Sequence, residues 1–228
     1  MATNNFAYGK SVFLNDVRLQ WGDIYRPGDA MEEGGTPKYK TVGLFAKDSS
    51  AASVARQAML DVATQLWGAN AETVLRNITA NSKAVRDGNS KIDDAGNVKP
   101  EFKDLLFISA SNKTAPRIVA PRRFNEQFVF ITENGRGLLG NGEDVTEQLG
   151  YVLKAPYRGC HVNLKVQFVA GKAFVTPQKK QVPNQVFARL EAIQFLRDGE
   201  PFGAGPTSAE GFGEEDVSQA AVDASALF

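Results

Sequence analysis

The sequence predicts a mainly β protein, a small antiparallel barrel with one inserted helix. Its strand-like segments carry one apolar and one polar face, which suits a sheet covered on one side only. The stretch Cys160 to Val169 shows this best: Cys160, Val162, Leu164, Val166 and Phe168 alternate with His161, Asn163, Lys165 and Gln167. One long amphipathic segment interrupts the strands, directly after the second of them.

Taken in order, Ser11 to Trp21 reads as the first strand, with a change of phase at Asn15-Asp16 that predicts a bulge. A Gly- and Pro-rich loop, Arg26 to Pro37, leads to a second strand from Lys38 to Phe45. Asp48, Ser49 and Ser50 are N-cap candidates for a helix that places Ala55, Met59, Val62 and Leu66 on one face and stops at Gly68. A short second helix is expected over Ala71 to Ile78, followed by a polar, turn-rich stretch from Ala80 to Pro100. Further strands are expected at Leu105 to Ser111, Arg117 to Ala120, Gln127 to Thr132, Cys160 to Val169 and Gln185 to Leu196, with Phe174-Val175 extending a hairpin. In the last long strand, Ala188, Leu190 and Ala192 are expected to share a face. A helical turn is expected at Asp144 to Leu149, with Asp144 and Glu147 in capping-box spacing.

Composition excludes several classes. The 228 residues are 43% hydrophobic and 23% charged, ordinary for a globular chain. No apolar run approaches the ~20 residues of a membrane helix, so no membrane role is expected, and Met1 to Lys10 lacks the apolar core of a secretory signal. A single cysteine, Cys160, fits a reducing compartment, and with a single histidine, His161, it is too little for a zinc site of these ligands. Neither cofactor nor metal is expected.

The formal net charge of zero hides an uneven distribution. Residues 203–228 contain no Lys or Arg but hold Glu210, Glu214, Glu215, Asp216 and Asp223, and they end on Leu227-Phe228. Residues 1–202 therefore carry 26 basic against 21 acidic residues, a net of +5. Low hydrophobicity and one-signed charge predict a disordered acidic tail. It could merely solvate the chain end. A terminal Phe favours an interaction instead, with a basic groove of its own domain or with partners.

The catalytic-looking motifs dissolve under scrutiny. Gly135 to Gly140 spells G-x-G-x-x-G, but Asn141-Gly142 interrupts any helix there and no parallel crossover follows. Asn141 to Asp144 lacks the ligand spacing of a calcium loop. Cys160 and His161 are neighbours on a strand, so their side chains point to opposite faces and cannot form a nucleophile–base pair. No convergent acid cluster is found, and no catalytic residue is assigned. What remains is a scatter of cations beside rings, in Lys38-Tyr39-Lys40, Lys113 to Arg117, Arg122 to Phe124, Tyr151 to Arg158 and Lys172 to Lys180. Single-stranded nucleic acid needs both types, cations for phosphates and flat apolar surfaces for unstacked bases. Each cluster alone fits a solvated loop equally well.

Several segments are similar to a family of bacteriophage single-stranded DNA-binding proteins. They are Leu14 to Leu19, Pro37-Lys38-Tyr39, Leu66-Trp67-Gly68, the Y-x-G-C-x-V-N block Tyr157 to Asn163, and the ending Ala192 to Gly203 with its I-Q-F-x-x-D-G-E run. The layout also resembles the T7-type phage DNA-binding proteins. The resemblance implies an OB-fold, a five-stranded antiparallel Greek-key barrel with one main inserted helix, over residues 1–202, and a flexible tail over 203–228. It implies a non-enzymatic protein that coats single-stranded DNA in replication or recombination, in the cytoplasm of the infected bacterium. The tail would compete for the groove and recruit phage or host replication proteins through Glu214, Glu215, Asp216, Asp223 and Phe228. Chemistry nominates Trp21, Tyr25, Tyr39 and Tyr157 as stacking rings. It nominates Lys40, Lys113, Arg117, Arg122, Arg123, Arg158 and Lys165 as phosphate contacts, with His161 beside them. Duplex DNA stays open as an additional ligand, and a homodimer as an assembly. The rival reading is a virion or assembly protein whose barrel binds other proteins and has no DNA affinity.

Overall fold

A computed structural model of the chain describes residues 5–29, 35–176, 179 and 181–202. The acidic tail and its residues Glu214, Glu215, Asp216, Asp223 and Phe228 lie outside the described residues.

Five strands close a barrel: β1 (Phe6–Gly28), β2 (Lys38–Ala46), β4 (Leu105–Asn112), β8 (His161–Gly171) and β11 (Gln185–Arg197). Neighbours around the barrel run β1-β2-β4-β11-β8 and back to β1. That is the connectivity of an OB-fold. Four of these pairings are antiparallel, and β4–β11 is parallel, Ala188 lying beside Ala110. This is the five-stranded, mainly antiparallel barrel that the resemblance implies; with five strands joined in this order the closing pair must run the same way. Short strands extend the sheet, β3 (Val85–Asp87) on β4 and, beyond β11, β5 (Arg117–Val119), β6 (Phe130–Ile131) and β7 (Gly137–Leu138). A separate hairpin, β9 (Phe174–Val175) with β10 (Gln181–Val182), lies between β8 and β11.

The alternation in β8 sets the core. Cys160, Val162, Leu164, Val166 and Phe168 are fully buried. They meet Leu14 and Val17 of β1, Ile108 of β4, and Leu190 and Ile193 of β11 in one cluster. Gly43 of β2 is required there, since a Cβ at that position would collide with the Val17 side chain. Helix α1 (Ser50–Trp67) packs its Ala55, Met59 and Val62 face on this core. Ser49 caps it, accepting from Ala52 N at 3.2 Å, and Gly68 ends it at φ 57°, a left-handed value that glycine adopts freely. Helix α2 (Ala71–Asn77) follows. No helix among the described residues is long and apolar enough to cross a membrane.

Bulges decide which side chains face outward. At Asp16, φ is 54° and the β1–β8 register shifts between Leu14 and Val17, as the phase change predicts. A second shift, between Leu190 and Ala192 of β11, was not foreseen. It sends Ala192 outward, away from Ala188 and Leu190, and turns Ile193 and Phe195 inward. The extra residue of a bulge reverses every side chain beyond it. In the glycine-rich segment, Asp144 accepts from the Thr146 N–H at 3.0 Å and pairs with Arg136, so the expected capping box with Glu147 does not form. Gly137 in that segment is a packing glycine, because a Cβ there would press on Leu153 and Val129.

Candidate nucleic-acid interface

Alternation along β1, β2 and β4 places one set of side chains on the outer surface of that sheet. Trp21 of β1 is opposite Val42 of β2, which is opposite Ser109 of β4; Lys40 is opposite Ser111. Together with Lys38, Thr36 and Arg86 they line a groove of about 540 Å³. Trp21 remains 41% exposed. Beneath it, the buried Thr41 hydroxyl donates to Trp21 O at 3.1 Å and fixes the strand crossing. Lys40 Nζ donates to Asp29 O at 2.9 Å.

Arg86 forms the far wall. It stands on β3 opposite Phe107, its guanidinium 4.7 Å from that ring's centroid and donating to Ser109 Oγ at 2.8 Å. Its Nε is buried without a partner. Burial lowers its pKa from the usual arginine value. Lys91 Nζ lies 5.2 Å from the same ring, and burial, then repulsion from Arg86 and Lys99, lowers its pKa too. Among the described residues, neither Lys38, Lys40, Arg86 nor Lys91 forms an ion pair. Cations crowded together without carboxylates are under-compensated, and an incoming polyanion relieves them. Arg86 and Lys91 lie in the polar, turn-rich stretch Ala80 to Pro100, whose sequence carries no strand signal. The arginine between the apolar Val85 and the turn signal Asp87-Gly88 was the available clue.

Val42 of the groove packs on a ring cluster that also receives the chain leaving β11. Phe202 packs on Leu44, Phe102 and Phe107, with Arg18 4.0 Å from its ring centroid and Arg158 5.8 Å away. Arg18 also donates to Glu200 O at 2.6 Å. Phe202 is the last described residue.

The remaining nominated residues divide. Tyr39 is half-buried at the start of β2, opposite Asn112, and Lys113 is exposed in the turn just after β4. Tyr25 packs against the core with its hydroxyl buried and unpartnered, and burial raises its pKa. Tyr157 is tied down: its hydroxyl is 3.0 Å from both Asp198 Oδ1 and Gly199 O. His161 Nδ1 is 2.7 Å from Asp16 Oδ1, and Arg197 binds the same carboxylate, joining β1, β8 and β11. Arg122 lies 5.3 Å from the Tyr151 ring centroid. Arg117, Arg123 and Lys165 are on a different face, across β8, β11, β5 and the segment leading into β6, next to Phe130, Phe128 and Phe13. Cys160 is inert, its thiol pushed up to about 11 by burial. Among the described residues no cluster of His, Cys, Asp or Glu could hold a metal ion.

Barrel order and outer groove place the chain among OB-fold proteins. The family model described as the Enterobacter phage Enc34 ssDNA-binding protein matches residues 10–222, and the chain belongs to that family. Protein p50 of Acyrthosiphon pisum secondary endosymbiont phage 1 is 29% identical over 218 residues, covering 91% of this chain and 94% of the relative. Among solved structures, the single-stranded DNA-binding protein of bacteriophage Enc34 in complex with ssDNA superposes with a TM-score of 0.54 at 18% identity, over 85% of this chain and 89% of that one. The T7 single-stranded DNA-binding protein gp2.5 gives 0.43 at 11% identity, over 87% and 91%.

Proposed function

We propose that the chain is a non-enzymatic phage protein that binds and coats single-stranded DNA in the groove between Trp21 and Arg86. The observation that carries this reading is the groove itself. An exposed indole shares it with three cations, Lys38, Lys40 and Arg86, and Lys91 lies beside Arg86's ring, Phe107; none of the four has a carboxylate partner among the described residues. Bases can stack on the ring while phosphates meet Lys38, Lys40, Arg86 and Lys91. Tyr39, Lys113 and Arg158 border this surface, and Arg117, Arg123 and Lys165 belong to the opposite face. Family membership supports the reading, as does the likeness to a fold solved with ssDNA bound.

In this account residues 1–202 form the binding domain and 203–228 an acidic tail that competes with DNA. The binding domain ends at Phe202, on the ring cluster that also seats Arg86 and Lys91. Displaced by DNA, the tail's Glu214, Glu215, Asp216, Asp223 and Phe228 would be free to engage replication or recombination proteins in the infected cell.

Fluorescence anisotropy of a labelled oligo-dT, with unlabelled duplex and RNA as competitors, tests the proposal. Binding that resists duplex establishes the coating role. No binding at low salt, even after tail removal, overturns it and favours an assembly protein. Light scattering of the free chain and of its complex separates a monomer from a homodimer.

A further inference from the structure

We propose that the barrel face opposite the groove is a second single-strand contact strip, so that one DNA strand wraps from Trp21 around the barrel onto Phe13 and Phe128. This rests on the single-strand reading above.

The sheet register builds the strip. Phe13 of β1 is opposite Lys165 of β8, which is opposite Ala192 of β11, which is opposite Arg117 of β5. One step along, Asn163 is opposite Gln194, Gln194 opposite Val119, and Val119 opposite Phe130 of β6. The unforeseen bulge in β11 is what brings Ala192 and Gln194 to this surface. With Phe128, these side chains line a depression of about 340 Å³. Phe13 is 58% exposed and Phe128 50%. Each ring has its own cation: Lys165 Nζ is 6.0 Å from the Phe13 centroid, Arg117 5.2 Å from Phe130, and Arg123 4.3 Å from Phe128.

This chemistry suits a polyanion carrying flat bases. The centre of a protein–protein interface is depleted of charge, whereas here a cation accompanies every ring. Among the described residues Arg117 and Arg123 form no ion pair. The nearby carboxylate, Glu191, is held by Lys165 at 3.3 Å and by the Ser11 hydroxyl at 2.8 Å. Rings bind bases by stacking and adjacent cations take the phosphates, whatever the sequence. The two faces are continuous through β1. Phe13 and Trp21 stand on the outside of that one strand, ~26 Å apart along its contour, and Arg18 lies between them.

The test compares the full chain with its Phe13→Ala/Phe128→Ala variant on two oligo-dT lengths, about 8 nucleotides, which one barrel groove accommodates, and about 30. Both rings are exposed, so a thermal melt should match the wild type. The proposal expects unchanged affinity for the short oligomer and a loss of about tenfold or more for the long one, of the order of one stacked base. Arg117→Gln/Arg123→Gln, which leaves the rings in place, should show the same dependence on length. Equal affinity of variant and wild type at both lengths overturns the strip and leaves that face to a protein partner. An equal loss at both lengths also overturns it, because that face would then be the primary groove. Failure of the wild type to bind either oligomer is a different result, and refutes the single-strand reading itself.

Discussion

Arg86 sits over the Phe107 ring, 4.7 Å from its centroid, while donating to Ser109 Oγ at 2.8 Å, so β3 delivers a half-buried guanidinium to the wall of the groove. A ring on one side and a hydroxyl beside it hold the guanidinium in place without neutralising it. An arginine held this way has its orientation already settled when a phosphate arrives.

Replacing Arg86 by Ala should therefore weaken oligo-dT binding and lower the slope of log affinity against log salt by about one. Arg86→Lys keeps the charge but loses the fork and the stacked plane, so it should recover only part of the affinity. Anisotropy titrations at several salt concentrations measure both. An unchanged slope for the Ala variant removes Arg86 from the phosphate contacts.

Truncation after residue 210 removes Glu214, Glu215, Asp216, Asp223 and Phe228. If the acidic tail competes with DNA, the truncated protein should bind oligo-dT more tightly, with the gain fading as salt screens the tail's charge. Equal affinities for the full and truncated chains at low salt would exclude competition.

Asp16 staples three strands, and the Arg197 hydrogen bond, then that of His161, holds its carboxyl below the usual value of 3.8. A lowered folded pKa means that the ionised form stabilises the fold above the unfolded value, and that this contribution is lost as pH falls through the folded one. Asn tolerates the left-handed backbone at this position. Asp16→Asn should thus be less stable at neutral pH by about 0.2–1 kcal/mol, the range of exposed pairs. Its deficit should shrink as pH falls from 3.8 and vanish only below the lower folded-state pKa. Urea melts at neutral and acid pH read this directly, and a deficit independent of pH would contradict it.

Lys165→Glu places a second carboxylate against Glu191 on a half-exposed surface, where repulsion is screened. The variant should fold and should lose affinity for long oligo-dT more than for short. A folded variant with full affinity at both lengths would remove Lys165 from the DNA path.

The barrel was largely legible in the sequence because its signals are local. Strict alternation in β8, the Ser49 and Gly68 caps of α1 and the phase change at Asp16 are each written within a few residues. The closing parallel pair was not, since Ala110 and Ala188 meet only when the whole barrel forms. The β11 bulge was missed because Ala188, Leu190, Ala192 is itself an apolar alternation; only packing sends Ile193 inward in place of Ala192. The site was half legible. Trp21 and Lys40 sit in well-marked strands and reach the groove. Tyr25 and Tyr157 look the same in sequence, yet one is packed against the core and the other clamped by Asp198 and Gly199. Arg86 and Lys91 come from a stretch with little periodicity, and only the pairing of β3 with β4 brings Arg86 to the groove.

The most direct test of the groove is the emission of Trp21 during an oligo-dT titration. The chain holds two tryptophans, so Trp67, packed against the core from the end of α1, is first changed to Phe. Stacked bases should quench Trp21 in step with the anisotropy rise, and added salt should reverse both together. An anisotropy rise with unchanged Trp21 emission would contradict the account and place the DNA away from this groove.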